Sequence, residues 1–319
     1  MQQRGAEGAT FLSRPQLYGG FGGAPRGNKA SIFFARGQRQ RLNIVSIMKC
    51  LFLPWLMFCF IYAATSFSLH YTSPTLMHAL VGVGFVIVLA CAAIALLVVL
   101  QKWHHEYHEP NWYIFLFITM LIGWSLGLLF GDINFKTNMR SFYDYSNLNE
   151  YHYVDPARMR GAQLMDAGRV NFVNGTGLDL KRSMGFRNLD TYCVAPITVK
   201  GLPLATYDFW AVGLGCCSGN TADFHCGEYD NPHANSGLRF LRDEERAFFR
   251  LAVQQAEATY GIKSDHPLFF FWTQSADAGM TSFQDDGHKF FLIGMLVHFC
   301  WQALCVGLAV LGFSKMGHF

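Results

Sequence analysis

The apolar positions of this chain gather into four long blocks. Cys50 to Phe67, Met77 to Leu100, Trp112 to Phe130 and Phe290 to Phe313 contain no Asp, Glu, Lys or Arg. A helix needs roughly 20 apolar residues to cross a hydrocarbon core about 30 Å thick. Each block therefore predicts a transmembrane helix. The first extends back to Ile44 if Lys49 snorkels, and it carries Pro54, which membrane helices tolerate. Ala63-Ala64-Thr65 looks like a signal-cleavage site. Secretory signals usually lie within the first 15–30 residues, and here 49 residues precede the block, so an uncleaved first span is expected.

Between the third and fourth blocks the pattern changes. Asp155-Pro156 reads as an N-cap followed by Pro at the first helical position, predicting a helix to about Ala167 that Gly168 stops. Arg169 to Val173 reads as a strand ended by Asn174-Gly175. Thr191 to Lys200 and Tyr207 to Leu214 are rich in β-formers and flank Gly201-Leu202-Pro203, so they predict an antiparallel hairpin. Leu241 to Tyr260 predicts a soluble helix with Phe248, Leu251, Ala252, Gln255, Ala256 and Thr259 along one stripe. Its early acids suit the helix dipole, and Gly261 suits the C-cap. Leu268 to Trp272 is a buried strand or a membrane-interface segment. The predicted fold class is an α-helical membrane protein with four transmembrane helices and an α+β extramembrane domain inserted between helices 3 and 4. The expected organisation is a basic tail over 1–43, helices 1–3 over 44–130, the inserted domain over 131–289, and helix 4 with a short tail over 290–319.

Composition agrees with this division. Of the 319 residues, 51% are hydrophobic and 15% charged, with mean hydropathy +0.18. A soluble protein carries about 25% charged residues. Residues 1–49 hold eight Lys/Arg and one acid, Glu7, which predicts a cytoplasmic N-terminus. Four spans return the C-terminus to that side and put 131–289 in the lumen or outside. Residues 1–41 are expected to be a disordered tail; a transit peptide and a lipid-binding basic patch are the other readings. The inserted domain has 15 basic and 19 acidic residues, a net charge of −4. Nothing there supports nucleic-acid binding, which needs a basic face.

Five of the nine cysteines, Cys50, Cys59, Cys91, Cys300 and Cys305, fall in the apolar blocks, where they act as small hydrophobes. Cys193, Cys216, Cys217 and Cys226 fall in the inserted domain. An even number in an oxidising compartment predicts two disulfides. Adjacent Cys216 and Cys217 point apart, leaving Cys193–Cys216 with Cys217–Cys226, or Cys193–Cys217 with Cys216–Cys226. A zinc site with His225 or His233 is the competing reading, and the adjacent pair spaces poorly for it. Asn174-Gly175-Thr176 is a glycosylation sequon on the proposed outer side.

Chemistry-bearing motifs are sparse. His104, His105 and His108 form a cluster between blocks two and three, a weak metal candidate better read as an interfacial loop between Trp103 and Trp112. The spacing of His105-Glu106-Tyr107-His108 is one residue short of the zinc-protease motif. No nucleophile elbow, phosphate-binding loop or dinucleotide fingerprint occurs. Asp285-Asp286 and Asp243-Glu244-Glu245 read as solvated faces. Few ionisable groups enter the blocks, which disfavours ion-coupled transport. His298 and Gln302, four apart in the fourth block, suit interhelical hydrogen bonding. Gly123, Gly127 and Gly131 recur every fourth residue in the third block, a stripe that lets helices approach closely, within the chain or between copies.

Two short loops, then a large outer loop carrying Cys216-Cys217 before the last span, resemble the tetraspanins in topology. A closer likeness rests on Asp190 to Ile197 (DTYCVAPI), Tyr207 to Cys217 (YDFWAVGLGCC), Phe224 to Gly227 (FHCG), Arg250 to Tyr260 (RLAVQQAEATY) and His266 to Trp272 (HPLFFFW). On these the chain resembles an uncharacterised, often multi-copy membrane-protein family of algal protists. That resemblance implies that the outer domain is the defining module, and it brings no catalytic residue. The expected function is a non-catalytic scaffold or interaction subunit of a membrane assembly in the endomembrane system, the plasma membrane or an organelle membrane. Its partners would be lipid and other proteins, and no cofactor is expected. The alternative is a membrane enzyme or redox protein using the outer cysteines or the loop histidines.

Overall fold

The computed structural model describes residues 44–102, 111–199, 203–219 and 221–316. Four of its helices are long and apolar enough to cross a membrane. They are α1 (Ile44–Ser66), α3 (Pro74–Lys102), α4 (Asn111–Asn134) and α7 (Ala276–Met316). A five-residue helix, α2 (Ser68–Thr72), joins the first two. The α4 helix continues without a break through a π-helical turn, Phe135–Met139, into α5 (Arg140–Ser146). That continuous run covers 36 residues, and α7 covers 41. Both therefore extend well beyond the apolar blocks that announce them.

The helix α1 is the hub of the bundle and packs against α3, α4 and α7. Its closest neighbour is α4, and the glycine stripe is the reason. A Cβ on Gly123 would sit 2.8 Å from the Pro54 carbonyl oxygen, and one on Gly127 would sit 3.0 Å from Ile61 Cβ. A Cβ on Gly131 would collide with Thr65 Oγ1. Only glycine lets the two backbones come this close. Most apolar side chains of the bundle point outward, including Val86, Leu97, Leu296 and Leu311.

Between Ser146 and Ala276 lies an eight-stranded mixed sheet. Its strands are β1 (Asn149–Val154), β2 (Ala167–Phe172), β3 (Thr176–Leu178), β4 (Met184–Asn188), β5 (Asp190–Val199), β6 (Phe209–Leu214), β7 (Ser236–Arg239) and β8 (Leu268–Thr273). The order is β1-β2-β7-β8-β6-β5-β3, with β4 also on β5. The expected hairpin is present, with Tyr192 opposite Leu214 and Pro196 opposite Trp210. Leu268–Thr273 lies between β7 and β6 as an interior strand.

Both faces of the central strands are buried. Cys193, Ala195, Phe209, Ala211, Leu268 and Phe270 enter one core. Their neighbours Val194, Trp210, Val212 and Phe269 enter the other, beneath the helix α6 (Asp243–Tyr260). Two-sided burial explains why these strands read as continuous apolar runs.

Two local expectations are corrected. No helix spans 155–167. Asp155 Oδ1 accepts from Ala157 N at 2.9 Å, and only a short 3-10 turn, Gly161–Gln163, follows. The Gly161 N–H goes to Asp208 Oδ2 at 2.9 Å instead of to a helical carbonyl. This places Leu164 in the core and starts β2 at Ala167. The second correction concerns α6, whose buried stripe is Phe249, Ala252, Val253 and Ala256, rotated from the expected one. Leu251, Gln255 and Thr259 are exposed, because the sheet takes Phe249 against Tyr192, Phe240 and Phe269. Gly261 does cap the helix, at φ +61°.

Candidate functional site

The outer cysteines are joined as Cys193–Cys217 and Cys216–Cys226, with Cα separations of 5.9 and 5.2 Å. Of the two pairings left open by the spacing, this is the one the fold adopts. Cys193 sits in the middle of β5, flanked by Gly185 on β4 and Gly213 on β6. A Cβ on Gly185 would lie 2.8 Å from Cys217 Sγ, and one on Gly213 would lie 2.6 Å from Cys226 Sγ. These two glycines make room for the pair of bridges. Sequence reasoning missed them, since a strand glycine signals close approach without saying of what.

The helix-packing candidates act inside the bundle. Gln302 is buried, and its Nε2 donates to the Cys50 carbonyl at 2.7 Å. Pro54 has no N–H to offer the carbonyl four residues before it, so Gln302 satisfies the acceptor that the proline leaves over. Gly123, Gly127 and Gly131 are all spent on α1. His298 stacks on Phe58 with centroids 4.1 Å apart, and neither ring nitrogen has a hydrogen-bond partner among the described residues. Asn174 is exposed in the turn between β2 and β3. His104, His105 and His108 lie outside the described residues.

A feature that no motif announces lies where the sheet meets α6. An open groove of about 700 Å³ runs along the first turns of α6 and is lined by Asp243, Arg246, Arg250, Asp265 and His266. An adjoining cavity of about 170 Å³ shares Asp243 and Arg246 with it and reaches Arg239 and Leu148. Arg239, the last residue of β7, is only 4% exposed. Its guanidinium carbon lies 5.6 Å from the Phe270 ring centroid, and its Nη1 has no hydrogen-bond partner among the described residues. Burial, reinforced by the Arg246 charge, pulls its pKa down to about 10. It is therefore a buried cation at neutral pH. Arg246 meets Asp243 at 3.2 Å, and Asp265 is held by Lys263 at 2.7 Å, which keeps its carboxyl below the usual range.

Arg239 is also the residue through which the sheet meets the helical stalks. Tyr145 Oη donates to its carbonyl at 2.7 Å. Nearby, Arg169 on β2 pairs with Asp277 at the start of α7 and with Glu150 at 3.3 Å. Tyr145, Leu238 and Ala276 form a small core at this junction, with Met280 and Phe283 packed against it. No family model, curated protein or solved structure matches the chain.

Proposed function

We propose that this is an integral membrane protein whose four apolar helices lie in lipid and whose sheet domain projects into an oxidising compartment. Its role is that of a non-catalytic scaffold or interaction subunit within a membrane assembly. The observation that carries this reading is the pair of uninterrupted helical connections between bundle and sheet. Residues 111–146 and 276–316 pass from one to the other without a flexible linker, and Tyr145 and Asp277 are fixed to the sheet at their ends. A domain held this way keeps a constant orientation to the membrane plane, which suits presentation of a surface to a partner. The residues that resemble the algal-protist family lie on β5, β6, α6, β8 and the loop of Phe224 to Gly227, so the resemblance also points to the outer domain. Tyr153, at a bulge in β1, and Leu189, at the tip of the β4–β5 hairpin, offer contact points there, since both are strongly exposed at φ +58° and +61°.

The test is purification from native membranes in mild detergent, followed by crosslinking and mass spectrometry. A stoichiometric partner crosslinked to the sheet domain is the expected result. A flexible Gly-Ser insertion between Gln284 and Asp285 should weaken that association while leaving both parts folded. Recovery without a stable partner, together with stoichiometric iron or zinc, would overturn the scaffold reading in favour of an enzyme. Trimming of residues 131–289 by protease added to the cytosolic side of sealed vesicles would reverse the topology.

A further inference from the structure

The inner of the two cavities beside α6 is lined by a buried cation, Arg239. A buried cation is normally matched by a carboxylate, because an isolated charge out of water is costly. Arg239 makes no ion pair among the described residues, and its one close compensation is the face of Phe270. The charge that acts on it from the same cavity wall is that of another cation, Arg246. Arg250 continues the basic line into the larger groove, where it too has no ion pair among the described residues. Two acids share the walls. Asp243 is mostly exposed and engaged with Arg246, and Asp265 is engaged with Lys263 and, at 3.9 Å, with Arg160. Neither reaches Arg239.

We propose that these adjoining cavities bind the oxyanion group, phosphate or carboxylate, of a small soluble molecule. Arg239 is the buried anchor and Arg246 the exposed clamp. The planar guanidinium fork matches either oxyanion with paired hydrogen bonds. The inner cavity has room for one such group, and the outer groove has room for the rest of a molecule of metabolite size. Arg246 links the two, and an arriving anion competes with Asp243 for it. The place also selects the source of the anion. Leu148 lines the inner cavity just beyond the end of α5. Some 15 residues of helix separate that end from Gly131, about 22 Å at 1.5 Å per residue. A lipid headgroup at the bilayer surface does not reach so far, so the ligand comes from the aqueous phase.

The experiment uses the full chain in phosphatidylcholine nanodiscs. Thermal unfolding of the sheet domain is followed against inorganic phosphate, citrate and, at matched ionic strength, chloride. Phosphate or citrate should raise the unfolding temperature saturably and chloride should not. Arg246→Gln, at an exposed position, should weaken the apparent Kd roughly tenfold to a hundredfold, the worth of one charge-assisted hydrogen bond. Arg239→Met should abolish the response. Its unfolding temperature without anion should stay level or rise, since an apolar replacement relieves an unpaired buried charge; a purely structural arginine would instead lower it. The proposal fails if neither anion acts beyond ionic strength, if both variants respond like the native chain, or if only phosphatidylserine in the nanodisc stabilises the domain.

Discussion

The bundle and the sheet domain solve opposite solvent problems with one chain. In the bundle most large apolar side chains face outward, with Leu296 67% exposed while Phe58 and Ile61 are buried, and Gly123, Gly127 and Gly131 bring α4 onto α1. In the sheet domain the large side chains face inward. Trp210, Phe249 and Phe270 are fully buried, and Trp210 and Phe249 fill the space between helix and sheet. Polar groups follow the same divide. In the bundle, aromatic and amide donors seek helix carbonyls, as when Trp55 reaches Met295, Tyr62 reaches Phe290 and Trp124 reaches Val81, each at 3.1 Å. In the sheet domain, carboxylates collect backbone and side-chain donors, as Asp208 does from Gly161, Asp265 and His266. At the α1–α4 contact the bundle relies on backbone proximity, while the sheet relies on side-chain volume and covalent bridges. Perturbations should therefore separate the two regions.

The sharpest separation should come from the disulfides. Replacing Cys193 and Cys217 with serine opens a bridge spanning 24 residues of sequence. It should cost the sheet domain about 2–5 kcal/mol and leave the helical content of the bundle intact. Limited proteolysis within 149–273, read beside far-ultraviolet circular dichroism, checks this. Equal loss in both regions would mean that they do not fold as the comparison implies.

The converse perturbation is Gly131→Val, which drives a side chain into Thr65. It should destabilise the bundle by roughly 1–3 kcal/mol without loosening the sheet. Unfolding in mixed micelles, with tryptophan fluorescence of Trp55 and Trp124 as the reporter, measures the effect. Gln302→Leu should act in the same place but more weakly, by roughly 0.6–1.7 kcal/mol, because it only deprives the Cys50 carbonyl of its donor. If the companion variant Pro54→Ala restores that carbonyl's helical partner, the two effects will not add.

The smallest effect should be that of acid. Asp166 is held below the usual carboxylate range first by Asn149 and then by Tyr151, and Glu228 first by Asn231. Hydrogen bonds from Ser218 do the same for Asp223. A carboxyl whose folded pKa is depressed contributes stability that is complete above its unfolded pKa, about 4, and is lost as pH falls through the folded value. The sheet domain should therefore weaken below about pH 4, with no matching change in the bundle, whose apolar blocks contain no acid. A Tm against pH series with separate reporters tests this, and a parallel decline in both regions would contradict it.

Much of this organisation was legible in the residues themselves. Four uncharged blocks dictate four apolar helices, because segment length and the absence of charge are properties of the chain alone. The β5–β6 hairpin and the Gly261 cap follow from local preferences in the same way. Where neighbours compete, the residues were silent. Asp155-Pro156 offers a helix start, yet Asp208, 47 residues beyond Gly161, captures the N–H that a helix would need. The buried stripe of α6 lies one position from the one its periodicity suggests, because Phe248 and Phe249 are equivalent until a sheet chooses between them. The spacing of the four outer cysteines allowed two pairings, and the glycines on β4 and β6 decide between them by where they leave space. Arg239 was invisible as a site for the same reason. Burial without a counter-charge is a property of the assembled sheet, helix and stalk, and only their packing places this cation beside Arg246 at the mouth of a groove.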